Sequence, residues 1–169
     1  ESEITEALSL LSQCPVDVIY IVDSYGSMYM EQVDDLADKY LKMAEDHGKS
    51  VGMHAHNNQQ LAFANTIAAL TRGVSYLDST IGGMGRGAGN CSSEQLLGFL
   101  KNPKYDLIPI LQFLEKHIIP LKKSGVVWGY NIPYLLTGQT NQHPRSAIAA
   151  TKEKRTDFLN FLLELNDKD

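Results

Sequence analysis

Val16 to Val22 reads Val-Asp-Val-Ile-Tyr-Ile-Val, and no other stretch limits the possible folds as tightly. A nearly unbroken β-branched and aromatic run marks a strand buried on both faces, as in parallel sheets. Such a strand needs neighbours beside it and helices over it, and the chain supplies both. Ile4, Leu8 and Leu11 share one helical face, with Glu3 and Glu6 early, where the helix dipole favours acids, and Cys14-Pro15 ends that helix. Met30 to His47 is amphipathic, with Val33, Leu36, Ala37, Tyr40, Leu41 and Ala44 as its apolar stripe and Gly48 as its stop. Val51 to Ala55 reads as a short strand, ended by Asn57-Asn58, which can cap the following helix, Leu61 to Leu70. Val74 to Thr80 reads as a third strand, and a glycine-rich loop, Gly82 to Asn90, leads to a helix from Ser92 to Leu100. Strict alternation of helix and strand predicts an α/β fold of βα units on a parallel sheet.

After Lys101 the alternation stops. Residues 1–101 therefore form the βα part and residues 102–169 a helical extension, with no linker long enough to separate two independent domains. Two helices are expected there, Leu107 to Lys123 and Ser146 to Leu165, joined by a loop carrying Trp128-Gly-Tyr130-Asn-Ile-Pro-Tyr134, and the charged tail after Leu165 is expected to fray. Three parallel strands leave two bare edges, a liability unless paired or covered. Within the chain only the C-terminal helices could cover them; partner strands missing from this chain explain the edges more naturally.

With 43% hydrophobic and 21% charged residues, the composition is that of a soluble globular protein. A net charge of −5 argues against nucleic acid as a partner, since phosphate backbones call for a basic patch. No apolar run approaches the ~20 residues of a membrane span. Cys14 and Cys91 lie in no metal-type cluster, so a reduced, cytoplasmic setting is expected. Glu1-Ser-Glu-Ile is no signal peptide and opens directly into helical periodicity, as a start in mid-protein would.

Strand side chains alternate faces, so His54 and His56 point the same way at the end of their strand. Two convergent imidazoles suit a divalent metal; the plainer reading is one packed core histidine and one solvated loop residue. Asp23 ends the first strand and Asp78 the third. A lone strand-end Asp is often a helix cap or loop anchor, but Asp23, His54, His56 and Asp78 together face one rim, where α/β folds place their active sites. Gly83-x-Gly85-x-x-Ala88 fits a relaxed dinucleotide fingerprint, yet the acid-ended strand that should follow is replaced by Asn102-Pro103-Lys104-Tyr105-Asp106. The alternative is a loop folded back over the rim, with Asn90 near the histidines as an oxygen ligand and Arg86 facing an anionic substrate. No strand ends in a lysine, which argues against a Schiff-base aldolase, and no Gly-x-Ser-x-Gly elbow occurs. His143 sits in a loop that could approach the site, whereas His47 and His117 belong to helix surfaces.

Gly52-Met-His-Ala-His-Asn-Asn58, Leu61-Ala-x-Ala-Asn-Thr-Ile-Ala-Ala-Leu70, Gly73-Val-x-Tyr-Leu-Asp-Ser-Thr80 and Gly83-Met-Gly-x-Gly-Ala-Gly-Asn90 closely resemble the divalent-metal aldolases, lyases and synthases built on a TIM barrel, and among them most of all the 4-hydroxy-2-oxovalerate aldolases. The resemblance covers Val16 to Leu100 well and the C-terminal part loosely. It implies a partial (β/α)8 barrel holding strands six to eight and the trailing helices, the C-terminal portion of a larger enzyme. The family's first strand, with its metal-binding Asp and an adjacent Arg, has no counterpart here. The resemblance further implies Mn²⁺ or Mg²⁺ held by His54, His56 and Asn90, a 2-oxo acid substrate whose enolate the metal stabilises as a carbon–carbon bond breaks or forms, and an aldehyde as the other reactant. Arg86, Asp78 and Asp23 would then bind or orient substrate. The Gly129-Tyr-x-x-x-Tyr134 loop resembles the one carrying a catalytic tyrosine, matched here to Tyr130, with Tyr134 as the alternative. A homo-oligomer or an aldehyde dehydrogenase partner is also implied. Without its first strands the chain should bind metal weakly and lack activity. The other readings are an acyl-CoA-dependent synthase or lyase of the same superfamily, and a non-catalytic barrel remnant.

Overall fold

The computed structural model describes residues 2–167, so Glu1 and the final two residues of the tail expected to fray lie outside it. β1 (Val18–Asp23), β2 (Ser50–Ala55) and β3 (Tyr76–Leu77) form a parallel sheet in the order β1-β2-β3. The register sets Tyr20 beside Gly52 and Gly52 beside Tyr76, and sets Val22 beside His54. β3 is shorter than the sequence suggests. Its flanking Ser75 and Asp78 N–H groups still donate to Val51 and Met53, but Thr80 turns away to bridge Ser92.

Among the described residues only one face of this sheet is covered. Ile21, Val51, Met53 and Ala55 pack against Val33, Ala37 and Ala44 of α2 (Met30–Asp46) and against Ala62, Ala68 and Ala69 of α3 (Ala62–Arg72). The small residues of α3 let its backbone approach the strands closely. Ile19 meets Leu8 of α1 (Ser2–Ser12), and Leu96 of α4 (Ser93–Leu100) joins the main core, so all four helices lie on the same side. The ends of α3 agree with the sequence: Gly73 caps its C-terminus at φ 112°, and at its start the Asn57 side chain accepts the Ala62 N–H at 3.1 Å.

The opposite face overturns the expectation of a strand buried on both sides. Val22 is 46% exposed and Tyr76 47%, because no described element covers the side chains that alternate away from the helices. Val16 falls before β1 and is also exposed.

The C-terminal extension departs further from the sequence reading. Over 108–123 the helix forms, but as α5 (Ile108–Phe113), a π-helical turn (Leu114–Ile118) and α6 (Ile119–Lys123). The Ile119 N–H reaches back five residues to Leu114 immediately before Pro120, whose ring cannot make the usual bond. The loop around Tyr134 contains an unexpected helix, α7 (Ile132–Gln139), capped by Asn131, whose side chain accepts the Tyr134 N–H. The single helix expected from Ser146 to Leu165 is two, α8 (Arg145–Lys152) and α9 (Phe158–Asn166). They are separated by Lys154 at φ 56°, with Arg155 N–H bonded to the Ala150 carbonyl and Lys154 N–H to that of Thr151, a Schellman stop. The extension docks on the glycine-rich loop: Trp128 Nε1 donates to the Gly82 carbonyl at 2.8 Å, and Tyr134 packs with Ala88 and Ala147. It thus builds onto the rim and leaves the open sheet face bare.

Candidate active site

His54 and His56 lie side by side, as strand alternation demands, with ring centroids 5.2 Å apart and planes at 82°. Their surroundings differ. His54 Nδ1 is 3.0 Å from Asp78 Oδ2, which fixes the ring and leaves Nε2 open. His56 is more enclosed, and burial, with the charges of Arg86 and then His54, lowers its pKa, so the neutral imidazole is favoured. The Gly89 carbonyl beside the ring opposes this shift, but His56 Nδ1 itself is buried without a partner of hydrogen-bond geometry among the described residues.

The glycine-rich loop does fold back over the rim. His56 and Asn90 form an antiparallel bridge, Asn57 N–H donates to Gly89, and Cys91 N–H donates to Ala55 at the end of β2. Asn90 donates its side-chain N–H to the Met84 carbonyl at 3.2 Å, while its Oδ1 is buried with no donor among the described residues. Two buried polar atoms without a partner of hydrogen-bond geometry, His56 Nδ1 and Asn90 Oδ1, thus sit on backbone segments joined by a β-bridge, with the open nitrogen of His54 alongside. A buried amide oxygen without a donor, as at Asn90, is costly, and a cation would relieve it. The donor set fits a divalent ion incompletely: among the described residues no three His, Cys, Asp or Glu side chains converge to hold one.

The other predicted residues take distinct places. Asp78 stands behind His54 on the open face. Tyr20, unmarked by the sequence reading, lies on that face too. Its ring crosses Gly52, where an added Cβ would meet ring atoms at 2.4 Å, and its phenol is held above the ordinary value by burial and then by the charge and hydrogen bond of Asp78. The available signal was its position, two residues before Val22 on a strand whose neighbour carries His54. Asp23 is 2% exposed, and its carboxylate accepts the Ser27 and Met28 N–H groups at 3.0 and 3.2 Å. That is the loop-anchor geometry; burial raises its pKa while these amides oppose the shift. Arg86 donates from Nη2 to the Ser24 carbonyl at 2.9 Å, tying the glycine-rich loop to the end of β1. Tyr130 is 63% exposed, on a loop whose Gly129 N–H bonds to Gly87. Tyr134 is buried beneath Gly87; burial raises its pKa and the nearby Arg86 charge works against that rise.

A cavity of about 540 Å³ opens over the end of β1, lined by Val22, Asp23, Tyr25, Arg86, Asn141 and His143 among others. Val22 is the register partner of His54, so the cavity adjoins the histidine pair. Residues 1–113 match the family described as HMGL-like.

The chain belongs to the HMGL-like family. Among curated relatives it is 41% identical to the 4-hydroxy-2-oxovalerate aldolase of Pelotomaculum thermopropionicum over 77% of this chain and 40% of that protein. It is 40% identical to the 4-hydroxy-2-oxovalerate aldolase of Thermus thermophilus over 96% of this chain and 48% of the relative. The chain therefore spans less than half the length of these relatives. Among solved structures, the N-terminal domain of a candidate aldolase from Bacteroides vulgatus superposes with a TM-score of 0.69 at 31% identity, covering 89% of this chain and 51% of that one. The carboxyl transferase domain of Rhizobium etli pyruvate carboxylase superposes with a TM-score of 0.68 over 98% of this chain and 28% of its own, at 15% identity, a likeness of fold alone. This HMGL-like chain is thus an α/β protein with a parallel sheet of the TIM-barrel aldolase type. None of its described helices is long and apolar enough to cross a membrane.

Proposed function

We propose that the chain forms the part of a (β/α)8 barrel that carries strands six to eight, and that with the remaining strands it works as a metal-dependent aldolase on 4-hydroxy-2-oxo acids. Consecutive strands in the order β1-β2-β3 with every covering helix on one side support barrel winding, since a doubly wound sheet puts helices on both faces. The exposed face holding Tyr20, Val22, His54, Tyr76 and Asp78 is then the inner wall, which complementary strands would cover. Residues 1–101 supply the barrel units, and 102–169 close over the rim.

The observation that carries the function is the juxtaposition of the open His54 nitrogen with the His56 ring and the unpartnered Asn90 oxygen. These three residues would hold Mn²⁺ or Mg²⁺, with the further ligands coming from the complementary strands. Such an ion supplies Lewis-acid polarisation of a 2-oxo acid's keto oxygen. Asp78 keeps the proton of His54 on Nδ1, so that Nε2 stays a lone-pair donor. Asp23 contributes by holding the Ser24–Met28 turn in place beside the substrate. Arg86 offers its guanidinium to an anionic group, and Tyr130, exposed at the mouth of the loop, moves the hydroxyl proton released as the carbon–carbon bond breaks. The setting is a reduced cytoplasm. A second copy of the chain or an aldehyde dehydrogenase is the proposed assembly partner.

The test is pyruvate release from 4-hydroxy-2-oxovalerate by this chain combined with the first-half strands of the Thermus thermophilus relative, with Mn²⁺ present. Turnover that disappears in the combined His54→Ala/His56→Ala variant is expected. Condensation that requires acetyl-CoA would point instead to a synthase or lyase of the superfamily. Equal Mn²⁺ binding by wild type and variant, with no turnover, would point to a non-catalytic remnant.

A further inference from the structure

The cavity over β1 has an uneven supply of hydrogen-bonding groups. Asp23, its only carboxylate, is spent on the Ser27 and Met28 amides. Ser27 donates its hydroxyl to Asn141 Oδ1 at 2.7 Å, which satisfies that oxygen and leaves the Asn141 NH₂. His143 Nδ1 accepts the Arg145 N–H at 3.2 Å, so the ring proton of the neutral imidazole sits on Nε2. The His143 ring is held edge-on to Tyr25, with centroids 5.6 Å apart. Arg86 spends one N–H on the Ser24 carbonyl, a neutral acceptor, and no described carboxylate forms an ion pair with it. Three side chains from two segments, the glycine-rich loop and the turn between α7 and α8, therefore bring uncommitted donors to one cavity whose carboxylate is already used. Its volume, about 540 Å³, is in the range of small-molecule sites and exceeds what the two-carbon aldehyde released from 4-hydroxy-2-oxovalerate would occupy.

We infer that this cavity is a subsite for a carboxylate at the far end of the substrate, gripped by Arg86, His143 and Asn141, so that the aldehyde partner is a semialdehyde bearing an acid group. The inference rests on the aldolase reading for the identity of the substrate, while the binding of the carboxylate does not. Guanidinium and carboxylate form the strong, directional pair, and the two neutral donors fix the second oxygen. A neutral aldehyde would leave these donors unpaired once water is displaced, which disfavours it.

Two experiments separate the inference from the reading beneath it. The first is titration of the ¹⁵N-labelled chain with glutarate and with glutaramide, which has the same carbon chain and no charge. Glutarate is expected to shift the amides of Val22, Tyr25, Asn141 and His143 and to bind at least tenfold more tightly than glutaramide. Arg86→Gln and His143→Phe are each expected to weaken it, Arg86→Gln by tenfold or more. His143→Phe keeps the ring against Tyr25, so it carries the test if Arg86→Gln releases the loop. Equal shifts for the two ligands, or shifts away from these residues, would overturn the subsite. The second is condensation of pyruvate with succinic semialdehyde or butanal by the completed barrel. At least a tenfold preference in kcat/KM for the semialdehyde is expected. Equal use of both aldehydes overturns the subsite and leaves the aldolase standing; glutarate binding without condensation of either overturns the aldolase and leaves the subsite.

Discussion

Gly89→Ala tests how the glycine-rich loop is held over the histidines. Gly89 has φ 85°, and a Cβ built there would lie 2.1 Å from the Gly83 carbonyl oxygen. That oxygen accepts the Asn90 N–H at 3.1 Å, so it cannot retreat without loosening the residue that bridges His56. The left-handed backbone alone costs an L-residue about 1–2 kcal/mol. Forcing a methyl into packed backbone adds about 1–3 kcal/mol. Together they give ~2–5 kcal/mol against the closed loop. Gly125→Ala carries the first contribution alone: Gly125 has φ 99° but nothing within 4 Å of its added Cβ, so only the conformational cost applies. Urea unfolding of both variants beside wild type, with unchanged m-values, gives the difference. Gly89→Ala is expected to lose ~1–3 kcal/mol more than Gly125→Ala. If the loop releases locally instead, the global loss shrinks but the His56 and Asn90 amide resonances move. A Gly89→Ala protein no less stable than Gly125→Ala, with those resonances in place, would refute the packing described here.

Other outcomes follow from the site. Asp78→Ala removes the acceptor at 3.0 Å from His54 Nδ1, and Mn²⁺ affinity measured by calorimetry on the completed barrel should fall by about tenfold, the lower end for outer-shell losses because both side chains are partly exposed. His56, with its pKa lowered in the folded chain, should titrate by NMR below 6.5. Since the unfolded state then binds the extra proton more readily, its contribution to stability is present above pH ~6.5 and is lost as the pH falls through the folded value; an unshifted midpoint would contradict the burial described. Tyr130→Phe should lower kcat of the completed enzyme with little change in urea stability, whereas Tyr134→Phe keeps the packed ring against Ala88; a loss of turnover confined to Tyr134→Phe would move the proton-transfer role to that residue.

The βα units were legible because their signals are local and repeated. Val18–Asp23 and Ser50–Ala55 lie in short apolar runs bounded by turn residues, α2 and α3 carry a helical stripe, and Gly73 and Asn57 mark ends with known backbone chemistry. The pairing of His54 with His56 followed from alternation alone. Of the two readings of the glycine-rich loop, the bridge between His56 and Asn90 supports the fold-back over the rim. What the sequence hid is set by tertiary context. Val22 belongs to an apolar run, but its exposure depends on whether a layer faces it. The split between α8 and α9 falls at Lys154, a lysine in a conformation that glycine usually signals, so the helical periodicity reads straight through it. The helix at Ile132–Gln139 had a readable start in Asn131 and Pro133, obscured by the glycine and aromatic residues before it. The roles of Tyr20 and Asn141 depend on which side chains meet across strands and loops, which a linear pattern does not encode.

The most direct measurement is Mn²⁺ binding, followed by electron paramagnetic resonance, to the completed barrel with the wild-type histidines and with His54→Ala/His56→Ala, with circular dichroism to show that both are folded. The expected result is a bound Mn²⁺ signal in the wild type and a loss of affinity of about tenfold or more for each imidazole removed. The same affinity in both folded proteins would contradict the assignment of the histidine pair as the metal-holding corner of the site.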